Sequence, residues 1–112
     1  MKHVNYSDVD LELTNEEVIK DLKVRGLISK KDDAKNFAMS LFEIKPVGYC
    51  PLHQHNWEHE VFIFQGESVA HNKKNEKNFK EGDVFFVKPM EWHQFKNTEK
   101  KILKFTCLIP FK

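Results

Sequence analysis

Glycine and proline are scarce, with four of each in 112 residues. No linker, internal repeat or low-complexity tract can be drawn from so few, and the length itself bounds the chain to one domain with one modest core. Cysteine is scarcer still. Cys50 and Cys107 form no C-x-x-C pair, and two cysteines make no disulfide framework, so both read as thiols in a reducing cytoplasm. Neither sign of charge dominates: the net charge is +1, which removes the electrostatic case for nucleic acid or an anionic membrane as partner. No apolar run approaches a membrane span. The opening M-K-H-V-N-Y-S-D-V-D carries no apolar signal segment, and the expectation is a soluble cytoplasmic protein. Phenylalanine is the exception to this sparseness. Ten of them, against two tyrosines and two tryptophans, exceed the needs of a small core, so some are expected to cover a surface between subunits.

The pattern divides near residue 35. Residues 1–34 are polar and weakly periodic, and read as an N-terminal arm that packs on the rest or on a second subunit. Within it, Thr14-Asn15-Glu16-Glu17 fits a capping box ahead of Val18-Ile19, and Lys23–Ile28 a short edge strand. Residues 35–112 have another texture. Runs rich in β-branched and aromatic residues fall at Phe37–Lys45, Val61–Gln65, Val69–His71, Val84–Val87, Gln94–Lys96 and Ile102–Ile109. Turn signals interrupt them at Pro46–Gly48, Gly66, Asn72–Asn78, Glu81–Asp83, Lys88-Pro89 and Asn97–Lys100. Many short strands at this spacing predict an all-β sandwich or barrel. Strand parity then sorts faces. Ala38, Ser40, Phe42 and Ile44 point inward, as do His59, Val61, Ile63 and Gln65, and Leu103, Phe105, Cys107 and Ile109. Phe37, Met39, Leu41, Phe62 and Phe64 point outward and need covering.

Four of six histidines fall into a pattern: His53, His55 and His59 in P-L-H-Q-H-N-W-E-H-E, and His93 in P-M-E-W-H-Q-F. A lone histidine is more often a surface or hydrogen-bonded core residue, and His3 and His71 read that way. For four at set offsets that reading fails: at a frequency of about 5%, chance supplies them roughly once in 10⁵ trials. Imidazole is the commonest metal ligand, and nitrogen ligands suit Mn, Fe, Zn, Ni or Cu rather than Ca or Mg. His55-Asn56-Trp57-Glu58-His59 also spells the inverted zinc-protease motif H-x-x-E-H. That motif needs a helix, and Pro51 before it and Val61–Phe64 after it read as strand.

These residues resemble the cupins, specifically the small bacterial single-domain kind with four histidine ligands. The first cupin motif, G-x5-H-x-H-x3,4-E-x6-G, falls on Gly48, His53, His55, His59 and Gly66. Gly48 stands one residue too close, and His59 takes the place of the usual glutamate. The second, G-x5-P-x-G-x2-H-x3-N, falls on Gly82, Lys88, Met90, His93 and Asn97, with Lys88 for proline and Met90 for glycine. The resemblance implies a jelly-roll β-barrel (a double-stranded β-helix), one divalent transition metal per chain on His53, His55, His59 and His93, and pocket walls that include Ser40, Cys50, Phe105 and Cys107. Trp57 and Trp92 read as packing residues, and Glu58 as a candidate hydrogen-bond partner to a ligand.

Four imidazoles are neutral, so a bound ion keeps its full charge and favours an anionic or enolisable oxygen ligand. A six-coordinate ion would keep two positions for substrate, or for substrate and O₂. The expectation is a dioxygenase-like oxidative enzyme acting on a small organic molecule. The alternatives are a metal-dependent binding protein without turnover and a non-redox isomerase or lyase. The outward phenylalanines add the expectation of a homodimer.

Overall fold

The computed structural model describes residues 1–13 and 20–111; the capping-box reading at Thr14–Glu17 lies outside the described residues. Nine strands follow in order: β1 Glu12–Leu13, β2 Lys20–Ile28, β3 Phe37–Tyr49, β4 His59–Gln65, β5 Ser68–His71, β6 Glu76–Phe79, β7 Val84–Val87, β8 Gln94–Lys96 and β9 Leu103–Pro110. Every pairing is antiparallel, in the order β6-β5-β8-β3-β9-β4-β7, with β2 on β3 and β1 on β2. The fold is all-β, and the sheet curls into a half-barrel of jelly-roll type. No helix among the described residues is long and apolar enough to cross a membrane.

Register turns the inward residues into rungs. Ile44 pairs with Leu103, and Phe42 with Phe105, which faces Ile63 on its other side. Ser40 pairs with Cys107, which faces Val61, and Ala38 pairs with Ile109. Ile44, Ile63 and Leu103 are at most 1% exposed and form the heart of a core cluster with Phe79, Phe95 and Phe105. The alternation of apolar residues on these three strands thus fills one interior.

The outward set meets different fates. Phe37, Phe62 and Phe64 are exposed, whereas Leu41 is buried but stands outside the core cluster. The N-terminal segment lies on this side. Tyr6 meets Phe64 edge to face at 5.4 Å, and Arg25 donates to the Tyr6 and Val9 carbonyls. Arg25 also pairs with Glu43 at 3.0 Å, and Glu43 with Lys104 at 3.5 Å. Those ions shield the outer side of β3 and β9 from water.

Four strand expectations need correction. Asn72–Asn78 is not a plain turn: its second half begins β6, whose polar Glu-Lys-Asn run hides a strand that buries only Phe79. Pro46–Gly48 does not end a strand, because β3 continues through it with Val47 at φ 66°. β2 exceeds Lys23–Ile28, and on its free side β1 pairs with it at Lys23 and Val24. Gln65, expected inward, lies beyond a register break and reaches the Ile102 carbonyl.

Candidate metal centre

Two main-chain hydrogen bonds begin the site. The His53 amide donates to the His93 carbonyl at 3.1 Å, and the His93 amide returns the bond at 3.0 Å. This isolated bridge brings their rings to 4.3 Å. His55 continues no regular strand; it sits in a loop that bends at Asn56 and Trp57. The Met90 amide holds that loop by donating to the His55 carbonyl at 2.6 Å. β4 then opens with His59, whose ring lies 4.2 Å from that of His55 and 5.6 Å from that of His93. Glu60 is exposed on the other face of β4.

Turn geometry explains two glycines of the motifs. Gly66 and Gly82 have φ of 94° and 89°, a region closed to most side chains. Met90, where the motif has glycine, has φ 65°, so the backbone demand survives the substitution. Asn97 is buried, with its amide on the Ile44 carbonyl at 2.8 Å and the Lys101 carbonyl at 2.7 Å. It is a structural residue that joins β3 to the turn after β8.

Hydrogen bonds fix the tautomers of three rings. His53 Nδ1 faces the Pro51 carbonyl at 2.7 Å, His55 Nδ1 the Trp57 carbonyl at 3.0 Å, and His93 Nδ1 the Glu91 carbonyl at 2.9 Å. A carbonyl only accepts, so each Nδ1 carries the proton and each Nε2 keeps its lone pair. One ring nitrogen from each of these three lies within 4.8 Å of the others. His93 Nε2 is buried with no hydrogen-bond partner among the described residues. An uncompensated lone pair in such a place costs stability unless a cation or donor meets it, and this donor set fits a transition-metal ion.

His59 is held differently. The Trp57 indole Nε1 donates to its Nε2 at 3.2 Å, and Cys107 Sγ lies 3.4 Å from its Nδ1. It stands outside the convergent trio. Burial, then the neighbouring His55, His93 and His53, pushes the His59 pKa down to about 3, and burial lowers that of His93. Neutral imidazole is the form a metal requires. Burial, with Cys50 nearby, pushes the Cys107 thiol up to about 12, so it stays protonated and offers no thiolate.

The histidines stand in the wall of a cavity of ≈ 510 Å³. Ser40, Cys50, Phe105 and Cys107 all line it, together with Phe42, Trp57 and Ile109. Among the described residues, no Lys, Arg, Asp or Glu does. Trp57 is the residue that parity misplaced: a bend does not obey the two-residue alternation of a strand, so its sequence position gave no hint of a pocket role. Trp92 faces a smaller cleft of ≈ 150 Å³ behind His93 and lies under the Lys73 ammonium at 3.9 Å. Glu58 is exposed.

Residues 40–109 match the cupin domain family, and the chain belongs to it. An oxalate-binding protein of Thermotoga maritima is 31% identical over 93 residues, 80% of this chain and 75% of that protein. Among solved structures, the polyketide cyclase RemF from Streptomyces resistomycificus superposes with a TM-score of 0.94 and 29% identity, over 100% of this chain and 80% of that one. A predicted oxalate decarboxylase from Thermotoga maritima gives a TM-score of 0.85 and 28% identity, over 99% of this chain and all of the other. A three-histidine cluster in a cupin is a metal-binding arrangement.

Proposed function

We propose that the protein is a metal-dependent enzyme that binds a small, largely apolar organic molecule through its oxygen donors and rearranges or closes it without net oxidation. One observation carries this reading: histidines supply the ligands at the wall of a ≈ 510 Å³ cavity that, among the described residues, no lysine, arginine, aspartate or glutamate lines. His53, His55 and His93 would hold the ion, with His59 as fourth ligand. When bound, the ion supplies Lewis acidity, drawing charge from a substrate oxygen. Phe42, Val61, Phe105 and Ile109 exclude water from the reacting groups, which strengthens electrostatic contacts there. Ser40, Gln54 and the Trp57 indole are polar side chains of the lining that would orient the substrate. An oxalate-sized dianion would fill little of this space and would meet no side-chain cation. The likeness to a polyketide cyclase supports an enolisable ketone as substrate class.

Oxidation is the second reading, favoured by the all-imidazole donor set, which leaves a redox-active ion its full charge. The two separate in one experiment. Untagged protein is analysed for metal, then loaded with Zn²⁺ or Fe²⁺ and offered 1,3-diketones and short poly-β-ketones, with and without O₂. Anaerobic product with Zn²⁺ supports the first reading. O₂ uptake confined to the Fe²⁺ form replaces it with the second, and saturable binding without product makes the protein a binding module.

The same proposal includes a homodimer. Phe62, Val84 and Phe86 expose 46%, 73% and 54% of their surface side by side on β4 and β7, and such patches mark association surfaces. Sedimentation as a 13.3 kDa particle at micromolar concentration would remove it.

A further inference from the structure

The four histidines do not present their lone pairs alike. In His53, His55 and His93 a main-chain carbonyl holds Nδ1. In His59 the Trp57 indole occupies Nε2, and a thiol faces Nδ1. An indole N–H can only donate, so it takes the Nε2 lone pair, and one lone pair cannot serve a hydrogen and a cation together. The ring of His59 nevertheless lies 4.2 Å from that of His55.

We propose that Trp57 is a latch on the fourth ligand: its N–H keeps His59 out of the trio, and recruitment of His59 by an ion frees that N–H to bind a substrate oxygen in the cavity. The inference rests on the metal reading above.

Two further contacts support it. The indole stacks on the His55 ring, with centroids 4.4 Å apart and planes 6° from parallel, while the Trp57 carbonyl holds His55 Nδ1. Trp57 therefore grips one ligand twice, and its indole has a reason to stay in the cavity wall when the bond to His59 opens. On the far side of His59, sulfur is a weak acceptor, so this ring is less constrained than the three clamped by carbonyls. Trp57 is then a specificity-determining residue. It selects for an acceptor oxygen within reach of its N–H while a second oxygen meets the ion.

Trp57→Phe keeps a ring on His55 and removes the N–H. Chelator competition with Zn²⁺ on the full chain should show ion affinity rising about 2- to 10-fold, the worth of one neutral hydrogen bond. In a His59→Ala background the same change should have no effect. A second measurement needs no variant at Trp57: in the wild type, Zn²⁺ should move the indole proton resonance of Trp57, distinguished from Trp92 by Trp92→Phe. Unchanged or lower affinity of Trp57→Phe, an equal gain without His59, or an indole resonance that saturating Zn²⁺ leaves in place overturns the latch alone. A wild-type chain that binds no transition-metal ion overturns the metal reading and the latch with it.

Discussion

The interior of the barrel has two halves cut from the same strands. At one end β3, β4 and β9 supply Ile44, Ile63 and Leu103, and the space is filled. Four residues along each strand on the same face stand Ser40, His59 and Cys107, and the space is a cavity. Backbone, twist and register are shared, so the difference lies in side-chain volume and polarity. Short and polar groups at one end leave room, while branched aliphatics at the other give the dense fill of a protein core. On the function proposed above, the filled end carries the stability and the hollow end the chemistry.

That division can be broken from either side. His93→Ala should lower ion affinity well beyond the roughly 10–100-fold that an outer partner of a ligand is worth, with the melting temperature of the metal-free protein nearly unchanged. Isothermal titration and calorimetry check the pair. If the metal-free protein melts much earlier, the hollow end is also structural. Ile63→Ala should do the reverse. It should cost roughly 2–5 kcal/mol in denaturant unfolding and leave the affinity of the folded protein within a few-fold of wild type. Asn97→Ala should follow at about 1–3 kcal/mol, because it orphans the Ile44 and Lys101 carbonyls.

Acid sharpens the comparison. His59 and His93 have pKa values lowered by burial, so below the ordinary histidine value of about 6.5 the unfolded chain binds more protons than the folded one. Metal-free stability should be full above that pH and fall as pH drops toward about 3. A chain with His59→Gln and His93→Gln should show a flatter profile, whereas Ile63→Ala should keep the wild-type slope. The smallest effect concerns the turn beside the site. Met90→Gly should stabilise by about 0.5–1 kcal/mol, since relief of a left-handed conformation outweighs the added freedom of the unfolded glycine.

Much of the filled half was legible. Branched and aromatic runs alternate with a period of two, and the rungs Ile44–Leu103 and Phe42–Phe105 follow from that pattern once paired. β6 was not legible, because Glu76, Lys77 and Asn78 are a solvated strand face and read like a turn. Burial of Leu41 could not be read from β3, since its cover comes from residues far away in the chain. The spacing of the histidines in the hollow half, and the positions of Gly66 and Gly82 beside Leu103 and Ile63 in the filled half, could be read, because both are demands of local geometry. Parity could also name Ser40 and Cys107 as neighbours, but not the volume between them. The tautomers, and the separate bonding of His59, arise from main-chain carbonyls and an indole whose placement no spacing rule records.

The bridge between His53 and His93 bears on how the site comes into being. These residues are forty positions apart, and their amides hold each other. Everything from β4 to β7 lies inside the loop that this bridge closes. Closing so long a loop is an entropic step that local contacts cannot anticipate. A chain emerging from the ribosome therefore lacks an assembled histidine cluster until β8 has docked, and on the metal reading proposed above ion capture comes late in assembly. Exchange of the His53 and His93 amide protons with heavy water reports that closure directly, and the two rates should rise and fall together whether or not an ion is bound.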